Sequence, residues 1–261
     1  MTARQDRQRK GDNSVADGME VVHYRVGADG YRNVEWYDTN RYAGPQNIYK
    51  QAVMRNAYKR LVGDLRGKRI LDVGCGTGRG IVDFVRDVRF AAGADAALDM
   101  LSIARQKTAR NARTALVNAY AQDLPFRNSA FDTVISLNFL HLFSVDTQRK
   151  MVQEMKRVVK PGGTVIIELD NALHGLLVGP YKRWSGRERG NFPWEIRYVV
   201  GDRCRVVRYY GAVCPILWRI FYRFPSFFSQ LEKVEYLPLF NRLSHRIYCK
   251  IVTHPLFETG V

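Results

Sequence analysis

Acidic side chains are scarce in this chain: 25 Asp and Glu stand against 41 Lys and Arg, a formal charge of +16 over 261 residues. That excess is high for a chain that only binds a small soluble metabolite, and it points to an anionic neighbour. Nucleic acid, an anionic membrane surface and a phosphorylated substrate all fit, and net charge alone does not choose among them. Cysteine is sparse as well. Cys75, Cys204, Cys214 and Cys249 are too few and too scattered for a disulfide framework, and no CxxC pair marks a zinc site, so no metal is expected and a reducing, cytoplasmic compartment is the simplest reading. Residues 1–17 are polar and basic with no apolar run behind them, which argues against a signal peptide or a membrane span there. The expectation for 1–20 is a disordered basic tail. Internal repeats and low-complexity segments are also missing.

What is present is a 46% hydrophobic chain, enough to bury the core of one large domain. Glu35 to Val62 reads as one or two helices broken at Gly44-Pro45, with Ile48, Ala52, Val53, Ala57 and Leu61 at helical spacing. Residues 21–66 are therefore expected to form a helical cap ahead of a main domain over 67–261. From Arg69 short β-rich runs alternate with amphipathic stretches, the mark of βαβ units and a parallel sheet. Strands are expected at Arg69–Val73, Phe90–Asp95, Thr114–Asn118, Phe131–Leu137 and Thr164–Leu169, with later β-like runs at Cys204–Val213 and His245–Val252. The helix carrying Met151, Val152, Met155, Val158 and Val159 is expected to stop at Lys160-Pro161-Gly162-Gly163, where proline and glycine turn the chain.

Leu71-Asp72-Val73-Gly74-Cys75-Gly76-Thr77-Gly78 ends the first strand and turns through three glycines into a helix, placing bare backbone N–H groups against a ligand. A nucleotide-like cofactor is expected there. A dinucleotide fingerprint needs a third glycine three positions after the second, but position 79 is Arg, so the spacing fits NAD poorly. An acid at position 72 suits a ligand that is cationic at sulfur better than a pyrophosphate. Asp95 ends the second strand 21 residues after Gly74, where a doubly wound sheet sets its carboxylate beside the loop to accept ribose hydroxyls.

Ala121-Gln122-Asp123-Leu124-Pro125-Phe126, then Phe131-Asp132-Thr133-Val134-Ile135-Ser136, then Val158 to Gly163 follow in the order and at the intervals of the class I methyltransferases. Over about Gly67 to Leu169 the chain resembles the small-molecule branch of that family, which includes ubiquinone and menaquinone C-methyltransferases and natural-product O- and N-methyltransferases. The resemblance implies a Rossmann-like, doubly wound α/β sheet of seven strands, mostly parallel with an antiparallel terminal hairpin. It implies S-adenosylmethionine as cofactor. Gly74, Gly76 and Gly78, with Asp72 and Cys75 beside them, would wrap its methionine part, Asp95 would hold the ribose, and Ala96 and Met100 would flank the adenine. Tyr120, Ala121 and Gln122 would offer backbone to the adenine edge, and Ser136 completes the expected cofactor set. Many relatives have an Asp for the adenine amino group where this chain has Tyr120, which leaves base recognition to the backbone or to Gln122. Tyr37 and Tyr42 in the cap are placed to close over the cofactor, as helices before the first strand do in similar enzymes; simple packing is the alternative.

Methyl transfer from a sulfonium is downhill, so the protein mainly aligns nucleophile, methyl and sulfur in a dry pocket, and a base is optional. For a hydroxyl or carbon-acid acceptor the candidate catalytic base is His141, in Asn138-Phe139-Leu140-His141-Leu142 after the fourth strand. Similar O-methyltransferases pair a His there with an acid after the fifth strand; here Glu168 and Asp170 bracket that place. The alternative is that His141 caps the helix beginning near Ser144 or fills a core hydrogen bond. Ser136-Leu137-Asn138-Phe139 stands where an Asn-Pro-Pro-Tyr or Asp-Pro-Pro-Tyr stretch would mark methylation of exocyclic amino groups on bases.

From Tyr209 to Phe240 aromatic residues interleave with Arg219, Arg223 and Lys233. The stretch is too short and too charged to span a bilayer. It fits an apolar substrate pocket, peripheral contact with an anionic membrane, or ordinary packing on the sheet; stacking of single-stranded nucleic acid ranks below these, since no RNA-binding module is attached. Residues 171–240 are read as a substrate lid and late-strand insertion. The expectation is a cytoplasmic enzyme that methylates a small-molecule or lipid-like acceptor. The rivals are the same fold acting on RNA or protein, and a non-enzymatic scaffold subunit.

Overall fold

The short runs that begin at Arg69, Phe90 and Phe131 are apolar on both faces and mostly buried, while the run at Thr114 is only half-buried at the sheet edge, so the sheet lies in the middle. The structure, a computed structural model, describes residues 13–16, 19–22, 34–40, 43, 45–173, 190–201, 204–212 and 246–253. In chain order these are β1 (Asn13–Ala16), β2 (Met19–Val22), α1 (Val34–Asn40), α2 (Pro45–Val62), β3 (Arg69–Val73), α3 (Arg79–Phe84), β4 (Phe90–Asp95), α4 (Leu98–Thr108), β5 (Thr114–Asn118), β6 (Phe131–Ser136), α5 (Val145–Val158), β7 (Val159–Asp170), α6 (Pro193–Val200), β8 (Cys204–Ala212) and β9 (Arg246–Thr253). β1 and β2 pair antiparallel as a separate ribbon, within and just beyond the stretch expected to be a disordered tail.

The main sheet has seven strands in the order β5-β4-β3-β6-β7-β9-β8. The first five are parallel, and β9 runs antiparallel to both β7 and β8. This is the expected doubly wound sheet with its antiparallel terminal hairpin. Alternation divides the core. Ile70, Ala91, Ile135 and Ile166 face α2 and α3, against Leu61, Ile81 and Phe84. Their neighbours Leu71, Ala92, Val134 and Val165 face α5, against Met151, Met155 and Val158.

One boundary differs from the sequence reading. The last parallel strand starts at Val159 rather than Thr164: α5 runs straight into β7, and Phe131 pairs with Val159 while Thr133 pairs with Thr164. Lys160-Pro161-Gly162-Gly163 is thus a bulge inside the pairing, because Pro161 has no N–H for the ladder and Gly162 sits at φ 73. Within the segment read as a lid and late-strand insertion, α6 packs on α5. Ile196, Val199 and Val200 join the same core, and Lys156 Nζ donates to Val200 O at 3.2 Å. The remainder of that segment, 174–189 and 213–240, lies outside the described residues and includes most of the aromatic stretch. Among the described residues no helix is long and apolar enough to cross a membrane.

Ser144, not His141, caps α5: its Oγ accepts from Thr147 N–H at 3.3 Å and donates to Thr147 Oγ1 at 2.9 Å. Ser144→Ala leaves that N–H without its partner and is expected to cost about 1 kcal/mol. Urea unfolding should show a lower midpoint at unchanged slope; an unchanged midpoint would remove the cap from the account.

Candidate functional site

The strand order reverses between β3 and β6, and the segments that follow these two strands part there, leaving a crevice at their carboxyl ends. A cavity of about 710 Å³ occupies it, lined by the glycine loop, by Asp95–Met100, by Ala119–Gln122 and by Leu137–Phe139, with α1 and α2 residues along one side. Gly74 sits at φ 71, and a Cβ there would lie 2.2 Å from Cγ of Phe139, so a glycine is needed for the Phe139 ring to close the crevice from the β6 side. Gly76, at φ 51, has nothing within 4 Å of a Cβ position, so the space beside its Cα is open to the crevice. Its N–H donates to Asp95 Oδ2 at 2.7 Å, while Asp95 Oδ1 accepts from Ala97 N–H at 2.9 Å. One carboxylate therefore shapes the turns after both β3 and β4.

Two acids are concentrated here with no described cation beside them. Asp72 is buried at 6% exposure, and burial, reinforced by the nearby Asp95 charge, pushes its carboxyl up to about 8. Burial also raises Asp95, against the pull of the two backbone donors. A positive ligand beside such a pair would restore the ionised form of both.

The cap is fastened to this loop by a residue that sequence reasoning missed. Asp38, near the end of α1, accepts from Thr77 Oγ1 at 2.6 Å, from Arg79 Nε at 3.0 Å and from Lys107 Nζ at 2.6 Å. Burial raises its carboxyl, but the donors from Lys107, Thr77 and Arg79 outweigh that and hold it below the usual carboxylate range. Arg79, the residue that spoils a dinucleotide fingerprint, is thus half of a cap-to-loop ion pair. No local pattern around Asp38 could have shown this, because its partners lie 39 to 69 residues away.

Beyond the loop the cavity reaches Glu168, Arg246 and Tyr248. Arg246 Nη1 lies 3.0 Å from Glu168 Oε1 and 2.5 Å from Asp170 Oδ1, and also 3.0 Å from His141 Nδ1. A guanidinium only donates, so Nδ1 accepts and the neutral imidazole carries its proton on Nε2. In this geometry the Nδ1 of His141, the candidate base, is engaged by Arg246. The acids expected as its partners are held by Arg246, which also missed notice because it comes from a strand 105 residues on.

Of the other expected cofactor residues, Cys75, Ala96, Met100, Tyr120, Ala121 and Gln122 line the cavity, as does Tyr37. Ser136 does not: it is fully buried beneath the loop, where its Oγ donates to Val73 O at 2.9 Å. Gly78 supports the loop from behind, against Ala104 of α4. Tyr42 lies outside the described residues.

Residues 70–163 match a family model described as methyltransferase domain. The demethylmenaquinone methyltransferase of Clavibacter sepedonicus is 37% identical over 121 residues, 46% of this chain and 49% of that protein. The O-methyltransferase rstn1 of Aspergillus nomiae is 29% identical over 143 residues, 53% of this chain and 62% of the other. The chain thus spans about half the length of the curated relatives it matches. Among solved structures, the N-methyltransferase NodS of Bradyrhizobium japonicum in complex with S-adenosyl-L-homocysteine aligns at TM-score 0.57 and 11% identity, over 78% of this chain and 87% of that one. Magnesium protoporphyrin IX methyltransferase of Synechocystis, with the same ligand bound, aligns at TM-score 0.57 and 16% identity, over 80% and 85%. At these identities the likeness to the solved structures is one of fold.

Because Asp72 has its carboxyl raised from 3.8 to about 8 in the folded chain, the native state holds a proton that the unfolded state has lost. Its contribution to stability therefore falls as pH rises from about 4 to about 8. Asp72→Asn should make the ligand-free protein more stable than wild type at pH 8, with the gap closing toward pH 4. Denaturant midpoints across that range check it, and parallel pH profiles for the two proteins would contradict the buried, protonated state.

Proposed function

We propose that this chain, whose residues 70–163 match a model described as methyltransferase domain, is a class I S-adenosylmethionine-dependent methyltransferase that transfers a methyl group from that cofactor to a small-molecule or lipid-like acceptor. The observation that carries the reading is the pair of buried, cation-free carboxylates at the switch point, Asp72 and Asp95, facing a cavity in the size range of small-molecule pockets. The donor set fits the cofactor: Asp95 beside the ribose, Asp72 toward the cationic methionine end, and the open space beside the Gly76 Cα between them. When bound, the cofactor supplies an electrophilic methyl on a sulfonium.

The chain's own residues then orient and exclude water. Phe139, Leu137, Leu142 and Phe143 present an apolar wall on the β6 side of the cavity, where an acceptor approaches in a dry environment. His141, engaged at Nδ1 by Arg246, carries its proton on Nε2. The relatives named as demethylmenaquinone methyltransferases favour an apolar, lipid-like acceptor, and the size of the cavity favours a small molecule over a polymer. Contact with an anionic membrane would fall to the aromatic stretch at 213–240.

Asp95→Ala should weaken S-adenosylmethionine binding by about 1–3 kcal/mol, the scale of leaving buried hydroxyls and loop N–H groups without an acceptor. Calorimetry reads this directly, and unchanged affinity would sink the ribose assignment. For the acceptor, labelled methyl should enter a lipid and small-metabolite extract rather than total RNA or total protein. Label confined to either macromolecule would replace the reading with the corresponding rival, and absence of cofactor binding by wild type would favour a scaffold role.

A further inference from the structure

Among the described residues, the cavity carries no unpaired positive charge. Each Lys or Arg that lines it has a carboxylate partner: Arg79 and Lys107 pair with Asp38, Arg55 with Asp83, and Arg246 with Glu168 and Asp170. Among the described residues, one group of cations stands instead at the opposite edge of the sheet. The three loops that lead into β3, β4 and β5 carry Arg66 and Lys68, Arg86 and Arg89, and Arg110 and Arg113, against only Asp64 and Asp87. Asp64 is taken up by Arg66 at 2.9 Å. Arg86, Arg89 and Arg110 are exposed and form no ion pair with a described residue.

Hydrogen bonds hold these loops side by side. Arg89 N–H donates to Lys68 O at 2.9 Å, Ala91 N–H donates to Arg113 O at 2.9 Å, and Arg113 Nη1 donates to Val88 O at 3.5 Å. Since adjacent strands lie about 4.8 Å apart, the three loops form one patch roughly 10 Å wide along the sheet edge, before the reach of the side chains. The six residues of β4, at about 3.3 Å each, set this patch roughly 17 Å from the end that carries Asp95.

We infer that this edge docks the phosphodiester backbone of a nucleic acid, while a different molecule is methylated in the cavity. Five of the six cations are Arg, whose planar fork matches phosphate oxygens in a bidentate way. The large exposed apolar side chains, Val82, Leu98, Tyr120, Trp194 and Tyr198, all lie outside these loops. With no exposed aromatic or large apolar side chain on these loops among the described residues, the contact is to phosphates and does not read sequence. A bilayer on this edge would hold the cavity mouth away from a lipid-like acceptor, whereas a soluble polyanion imposes no such orientation. Only that last point rests on the acceptor proposed above.

The test uses the full chain, a short RNA duplex followed by fluorescence anisotropy over a salt series, and sedimentation with phosphatidylserine vesicles. Wild type should bind the duplex, and Arg86→Gln with Arg113→Gln should weaken binding and flatten the slope of log affinity against log salt by about two. The control pair Arg105→Gln with Lys150→Gln removes the same charge from exposed positions elsewhere and should leave both nearly unchanged. An equal loss in the control pair, no duplex binding by wild type, or patch-dependent binding to vesicles but not to duplex would each overturn the proposal. Calorimetry with S-adenosylmethionine separates the two readings: duplex binding lost with the patch while wild type fails to bind cofactor supports the docking edge and sinks the methyltransferase assignment alone.

Discussion

Asp95 ties the end of β4 to the glycine loop by accepting from both Gly76 and Ala97, and the rest of the site is arranged around that clamp. With both oxygens engaged by backbone, the carboxylate cannot swing away, and Asp72 on the adjoining strand is forced to share a buried space with it. Two acids in that position are costly in the absence of a cation. The sheet register makes this unavoidable, because Asp72 pairs with Gly93 and Val73 with Ala94, which brings both acids to the same edge. The local instability is concentrated where a positive ligand would relieve it.

Ion pairs close the cavity without lending it positive charge. Asp38 gathers Thr77, Arg79 and Lys107 and so couples the cap, the glycine loop and α4. At the other end Arg246 gathers Glu168, Asp170 and His141, joining β7, β9 and the turn after β6. Arg246 and Glu168 are buried, so either partner left alone would carry an uncompensated charge in the core, which is far more costly than the intact pair is favourable. The charged groups that close this site therefore cancel, while Asp72 and Asp95 leave a surplus of negative charge within it.

This segregation separates two properties that net charge confounds. A chain of +16 would ordinarily be read as drawing an anionic substrate into its active site. Here, among the described residues, the cavity is lined by matched pairs plus surplus acid, and a group of Arg and Lys stands at the amino edge of the parallel strands. Parallel topology makes that possible, since every loop before a strand lands on one edge and every loop after a strand on the other. A bias in loop composition thus becomes a polarity of the whole domain.

The amino-acid sequence by itself determined the elements whose signals are local. Strands at Arg69–Val73, Phe90–Asp95 and Thr114–Asn118 were legible to the residue because alternating apolar runs end at charged or glycine-bearing turns. The glycine loop and Asp95 were legible for the same reason: their spacing is a property of one βαβ unit. Lys160-Pro161-Gly162-Gly163 misled at the boundary of β7, since Pro and Gly mark a stop equally well when they form a bulge within a continuing strand. Tertiary structure alone decided the rest. Asp38 and Arg246 reach partners 39 to 105 residues away, and Ser136 was turned inward to Val73 rather than toward a ligand. The protonation site of His141 was likewise set by a guanidinium from a distant strand. Periodicity and motif spacing describe what a segment does to itself; which charge ends beside which depends on how the strands are ordered in space, and that order is written in no single segment.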